Sequence, residues 1–149
     1  MNNSGEILLN SYIRPEHKTE WTAAEAINHI SPQMVKNAPL MSDIVPLISK
    51  IMSGAKVAVA YNIDFDWHFI SKALEENGFD FENDTPELRC CMKKFSEIYG
   101  EWDSERLRYR WQKLSTAASY YNIPWRGQAH GSLADAFMCR DVWNKMNDD

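Results

Sequence analysis

Cysteine is scarce, with three in 149 residues. Cys90 and Cys91 are adjacent and Cys139 lies far along the chain. There is no Cys-x-x-Cys pair and no His at zinc-finger spacing, which excludes a zinc module. The pattern reads instead as a reduced, cytoplasmic protein with buried thiols. Long apolar runs are missing, and without one near 18 residues no membrane-spanning helix is expected. The opening MNNSGEILLN has neither the basic start nor the apolar stretch of a secretory signal. Positive charge is in deficit: 16 Lys plus Arg stand against 21 Asp plus Glu, for a net charge of −5. That excludes a non-specific DNA coater, so a nucleic-acid site must be local or rely on bound cations. Six Gly and six Pro are too few for collagen-like or low-complexity sequence. What is present is 44% hydrophobic and 12% aromatic residues, ample for one core. The length points to a single domain over residues 1–149.

Periodicity and punctuation predict the elements. Residues 6–14, EILLNSYIR, are rich in β-formers and read as a strand closed by Pro15. Thr22 and Glu25 have capping-box spacing, ahead of a helix from Ala23 to His29. Ser31-Pro32 opens a short turn around Met34 and Val35. Ser42 caps a helix whose stripe is Ile44, Leu47, Ile48 and Ile51, and Gly54 ends it. KVAVAY, 56–61, is a buried strand. Phe65 to Asn77 is a helix with Phe69, Ile70, Ala73 and Leu74 inward and Gly78 at its end. A short strand around Arg89 to Met92 leads into a helix to Tyr99. Gly100 to Arg110 is charged, aperiodic and read as loop. Helices follow over Lys113–Tyr121 and Leu133–Met146, the latter with Leu133, Ala136, Phe137, Arg140 and Trp143 at helical spacing. This is an α/β order with few strands for its helices.

Two segments carry residues suited to chemistry. Asn62-Ile63-Asp64-Phe65-Asp66 follows a strand and opens a helix, where ligands of α/β sheets gather and where a helix dipole favours carboxylates. His130-Gly131-Ser132-Leu133-Ala134-Asp135 puts a His just before a helix and an Asp in its first turn. Each alone is equally readable as a capped helix start.

Taken together, AVAYNIDFD and HGSLADA resemble motifs II and III of the DnaQ-like exonucleases, in the DEDDh branch. SYIRPEHKTEWTAAEAINHISPQMVKNAP and YRWQKLSTAASYYNI resemble the stretches before each motif, so the likeness runs over roughly residues 5–146. The resemblance implies a ribonuclease-H-like α/β fold with a reduced mixed sheet flanked by helices. It implies a 3′–5′ exonuclease acting on single-stranded DNA or RNA, with two Mg²⁺ or Mn²⁺ ions held by carboxylates. Asp66 and Asp135 become metal ligands and His130 the general base on the attacking water. Asn62, Tyr61 and Phe65 around motif II, and His29 and Met34 before it, become candidate substrate contacts. Phe65 also reads as a core residue.

The chain departs from the family at motif I, an Asp-x-Glu on the first strand that supplies two of four acidic ligands. No such motif stands near the start, and Asp43 is the first Asp. The expectation is a domain truncated at its N-terminus, with the first strand and most of the second absent. An unpaired sheet edge would then invite a homodimer or a partner chain. Impaired hydrolysis, or a non-catalytic nucleic-acid-binding or interaction module on the same fold, is the alternative reading. Between Arg89 and Lys113, basic residues interleave with Trp102, Tyr109 and Trp111. That mixture reads either as a grip on a single strand or as a solvated loop with anchoring aromatics.

Overall fold

The computed structural model describes residues 1–79, 85–126 and 131–147. Residues 1–20 run without regular structure, so the strand expected at 6–14 does not form. A strand needs a neighbour for its backbone groups, and none lies along this segment among the described residues. The segment is tied down by Arg14, whose backbone N–H donates to the Pro39 carbonyl at 2.9 Å. Gly5, at φ +92°, comes close enough to Arg140 that an added Cβ would meet its guanidinium.

Helix α1 spans Thr22–Asn28 and α2 spans Pro32–Val35. The Thr22 capping box is not made: Trp21 occupies the cap position, and no side-chain cap bond is present. Ser31 does cap α2, its hydroxyl accepting from the Met34 N–H at 3.4 Å. Helix α3, Met41–Ser53, starts one residue before the expected cap. Asp43, not Ser42, serves its start by accepting from the Leu40 N–H at 2.9 Å. A carboxylate makes the stronger, charge-assisted bond to a free N–H.

Strand β1, Val57–Ala60, runs into helix α4, Ile63–Glu76, through a two-residue turn. Strand β2, Glu87–Cys90, pairs with β1 in parallel, Val57 opposite Glu87 and Ala60 opposite Cys90. Helix α5, Cys91–Tyr99, follows at once. The segment read as loop holds a small hairpin, β3 at Trp102–Asp103 and β4 at Arg108–Tyr109, paired antiparallel. Asp103 builds its turn, its Oδ1 accepting from the N–H groups of Glu105 and Arg106, each at 3.1 Å. Hydrogen bonding by the Arg106 N–H foremost holds the Asp103 carboxyl below the usual range. Leu107 takes the left-handed position, φ 51°. A Gly or Asn there is the usual sequence signal for a hairpin, and Leu hides it. Helices α6, Leu114–Tyr120, and α7, Ser132–Lys145, close the order.

The main core lies where α5, α6 and α7 meet, and holds Cys91, Phe95, Ala117, Ala118, Met138, Cys139 and Val142. On α7 the buried stripe is therefore Met138, Cys139 and Val142, not the Phe137, Arg140 and Trp143 face. Both stripes have helical spacing, and the packing of α7 against β1, α5 and α6 selects the smaller side chains. Trp125 and Trp143 pack partly buried against that core. A second cluster, Val45, Ala73 and Leu74, joins α3 to α4. Phe65 and Phe69 are not in it. They are 60% and 56% exposed and pack edge to face at 5.0 Å. No described helix is long and apolar enough to cross a membrane.

Candidate functional site

The C-terminal end of β1 positions the first half of the site. Asn62 ends the turn, and its carbonyl accepts from the N–H groups of Phe65 at 3.0 Å and Asp66 at 3.3 Å. Those bonds begin α4 and place Asp64 and Asp66 in its first turn. The two acids then differ. Asp64 is paired with Lys93 of α5, Oδ2 to Nζ at 2.5 Å, both exposed, and its carboxylate raises the Lys93 pKa. Asp66 has no ion pair with any described cation. It is exposed, yet surrounding protein withdraws part of its hydration and pushes its carboxyl up, against a smaller opposing effect of its own backbone N–H.

The second half comes from α7. Asp135 lies in its first turn, half-buried, with its N–H donating to the Gly131 carbonyl at 2.9 Å. Cys139 stands one helical turn further on, on the same face. Its buried thiol is pushed up by its hydrogen bond with Cys91, by burial, by the charge of Cys91 and then by the charge of Asp66. Asp66 thus acts electrostatically on the stretch of α7 that carries Asp135. The charge of Asp66 is thus felt at Cys139, one turn beyond Asp135 on α7. The sequence reading took all three thiols as buried; Cys91 and Cys139 are buried, and Cys90 is half-buried.

His130 lies outside the described residues. Tyr61 is half-buried, and its hydroxyl donates to the Gln112 carbonyl at 2.8 Å. Burial foremost raises its pKa, so it stays protonated and acts as a clamp. Phe65 is exposed beside Asp66, which removes its core reading and leaves it open to a ligand. His29 sits exposed at the left-handed end of α1, φ 59°, and Met34 is 47% exposed. No hydrogen bond, ion pair or ring contact among the described residues joins either to Asp66 or Asp135.

Comparison with known proteins fits this geometry. The exonuclease family that includes RNase T matches residues 2–142, nearly the whole chain. The chain belongs to this exonuclease family. Membership implies a ribonuclease-H-like α/β fold and sets the protein among nucleases, which act on nucleic acids and generally use divalent metals. A PolC-type DNA polymerase III from Caldanaerobacter subterraneus subsp. tengcongensis is 29% identical over 120 residues. That stretch is 78% of this chain but 8% of the polymerase, so the chain spans a small part of its relative's length.

The donor set of this family member decides what it can hold. Hard carboxylate oxygens suit Mg²⁺ or Mn²⁺. Among the described residues no group of three His, Cys, Asp or Glu is gathered to hold a metal.

The sign of the Asp66 shift gives a stability test. A carboxyl whose folded pKa is raised favours folding fully below its unfolded pKa of 3.8 and loses that contribution as pH rises through the folded value. At neutral pH the ionised Asp66 is therefore a burden on the metal-free fold. Asp66→Asn is expected to raise the melting temperature in EDTA at pH 7 by about a degree, discounted for exposure. The gain should shrink as pH falls toward 4. Melting curves across pH check this, and a lower melting temperature for the variant at pH 7 would contradict it.

Tyr61→Phe removes the clamp on Gln112. Loss of one half-buried hydroxyl bond is expected to lower stability by about 1 kcal/mol. Equilibrium urea unfolding measures it, and an unchanged midpoint would show that the Gln112 carbonyl finds water instead.

Proposed function

We propose that this protein is a metal-dependent 3′–5′ exonuclease that hydrolyses phosphodiester bonds at single-stranded 3′ ends of DNA or RNA. The observation that carries the reading is the pair of carboxylates in the first turns of α4 and α7, with the charge of Asp66 felt at Cys139, one turn beyond Asp135. Asp66 and Asp135 would hold Mg²⁺ or Mn²⁺, which supplies an acidified water and a polarised phosphoryl oxygen when bound. His130, by its place in the HGSLADA motif, takes the proton of the attacking water, and a neutral imidazole suits that task near pH 7. The Lys93–Asp64 pair withholds Asp64 from the ion. The ring of Phe65 offers a stacking face to the terminal base, with Asn62 beside it. Met34 and His29 stand as further contacts on the preceding helices. The reading sets the reaction in the cytoplasm.

A second reading is favoured by the lack of a three-ligand cluster among the described residues. It makes the chain a nucleic-acid-binding or interaction module on the same fold. A second copy, or another chain, laid against β1 would then complete both the sheet and the acidic set. β1 has one described neighbour, β2, so its other edge is free of a described strand.

The deciding experiment uses purified protein, Mn²⁺ and a single-stranded oligonucleotide labelled at its 5′ end. Progressive shortening from the 3′ end, abolished by EDTA, supports the exonuclease. Binding without shortening supports the module. Activity that appears only with concentration, in step with a dimer by light scattering, supports completion by a second copy.

A further inference from the structure

The hairpin after α5 carries a cationic and aromatic surface that the proposed chemistry leaves unused. Three arginines alternate along it, and two are neutralised. Arg106 pairs with Asp103 at 3.1 Å, and Arg110 with Glu101 at 3.2 Å. Arg108 pairs with no described carboxylate. Its guanidinium lies over the ring of Trp111, 3.9 Å from the centroid. Both side chains are exposed, Trp111 by 44%. Lys113, exposed and also without a described ion pair, is two residues on.

This surface is fastened to the candidate site. The residue between Trp111 and Lys113 is Gln112, whose carbonyl accepts the Tyr61 hydroxyl at 2.8 Å. Tyr61 is followed directly by Asn62, whose carbonyl starts the helix that bears Asp66. Gln112 also binds the hairpin, its Nε2 donating to Glu101 at 2.8 Å and to the Arg110 carbonyl at 3.2 Å. One short path of hydrogen bonds and chain neighbours thus runs from the helix start that bears Asp66 to the Arg108–Trp111 stack.

We infer that Arg108, Trp111 and Lys113 form a docking surface for the body of a single-stranded nucleic acid whose 3′ end lies at Asp66 and Asp135. The inference rests on the exonuclease reading and extends it away from the reacting bond. The occupant follows from chemistry. A planar guanidinium over an indole ring presents a cationic and aromatic surface on which any base can stack, and Lys113 supplies a point charge to a phosphate. In a protein of net charge −5, two cations without described carboxylate partners at an exposed aromatic ring complement a polyanion with flat bases. An apolar protein partner would instead favour an uncharged surface. Stacking reads no sequence, so the surface confers dependence on strand length and not on base identity.

The test is equilibrium binding in EDTA by fluorescence anisotropy, with oligothymidines of about 4 and about 16 nucleotides and a blunt duplex of the longer length. The wild type is expected to bind the longer single strand most tightly. Trp111→Ala and Arg108→Ala should each weaken that binding by roughly ten-fold and leave the shorter strand unaffected. Trp111→Phe should restore most of the affinity. Lys113→Ala should flatten the salt dependence by about one phosphate contact. Thermal melting verifies that each variant is folded, as expected for exposed side chains. Equal affinity of wild type and Trp111→Ala for the longer strand overturns the inference and assigns the surface to another class of partner. That result leaves the site reading intact, because shortening of the short strand with Mn²⁺ tests the carboxylates independently. Preference for the duplex also overturns it.

Discussion

Asp66→Asn and Asp135→Asn are each expected to lower Mn²⁺-dependent shortening of a single-stranded oligonucleotide by a factor of about 10²–10³ or more. Each change keeps the shape of the side chain and removes one of the two charges that would hold the ion. The loss should come in turnover, with binding of the strand in EDTA nearly unchanged, because the Arg108–Trp111 surface is untouched. The two changes together should do little more than either alone, since both disable one ion. Asp64→Asn is the control. Its carboxylate is tied to Lys93 at 2.5 Å on an exposed surface, so activity should fall by less than about ten-fold. Single-turnover rates measure all three. A wild-type rate in Asp66→Asn would remove this carboxylate from the chemistry. The opposite expected behaviour of Asp66→Asn in melting experiments, stabilised without metal yet inactive with it, makes loss of fold an inadequate explanation for the lost rate.

Phe95→Ala should have the largest effect on the fold. Phe95 is fully buried, with ring contacts to Tyr99 at 5.7 Å, Tyr120 at 5.5 Å and Tyr121 at 6.0 Å. It joins α5 to α6 within the core that also holds α7. Removing the ring is expected to destabilise by about 3–5 kcal/mol, a third or more of the stability of an ordinary domain. A fall of roughly 10 °C in melting temperature is the corresponding shift for a chain of this size. Phe65→Ala, in the same kind of helix but 60% exposed, should change stability by less than about 0.5 kcal/mol. Chemical denaturation of the two variants side by side checks the contrast. Similar losses would mean that Phe65 is covered in solution.

The contrast between the two phenylalanines shows what helical spacing can and cannot say. Spacing identified α4 and α7 and their approximate ends, because local propensity, caps and breaking residues act over a few positions. It could not choose which of two apolar stripes turns inward. On α7, Phe137 and Trp143 are the larger side chains, yet Met138, Cys139 and Val142 are the buried ones, because α7 packs against β1, α5 and α6 through their face. The strand expected at 6–14 failed for a related reason. Its residues favour β structure, but a strand is a property of a pair, and no described neighbour lies beside it. The hairpin at 102–109 was hidden by Leu107 in a left-handed turn position that Asp103, reaching across to two backbone N–H groups, makes affordable.

The chain by itself determined the family, the helix starts that bear Asp66 and Asp135, and the buried state of Cys91 and Cys139. These depend on residue type and on short-range order, which a linear string contains. Only the folded chain separated Asp64 from Asp66, by giving one a lysine and the other a partly dry setting. Only it brought Asp66 within electrostatic reach of the α7 stretch carrying Asp135, and bound the Arg108–Trp111 surface to the site through Tyr61 and Gln112. Charge and hydrogen bonding act through space, and partners 29 and 51 positions apart meet only after the chain has packed.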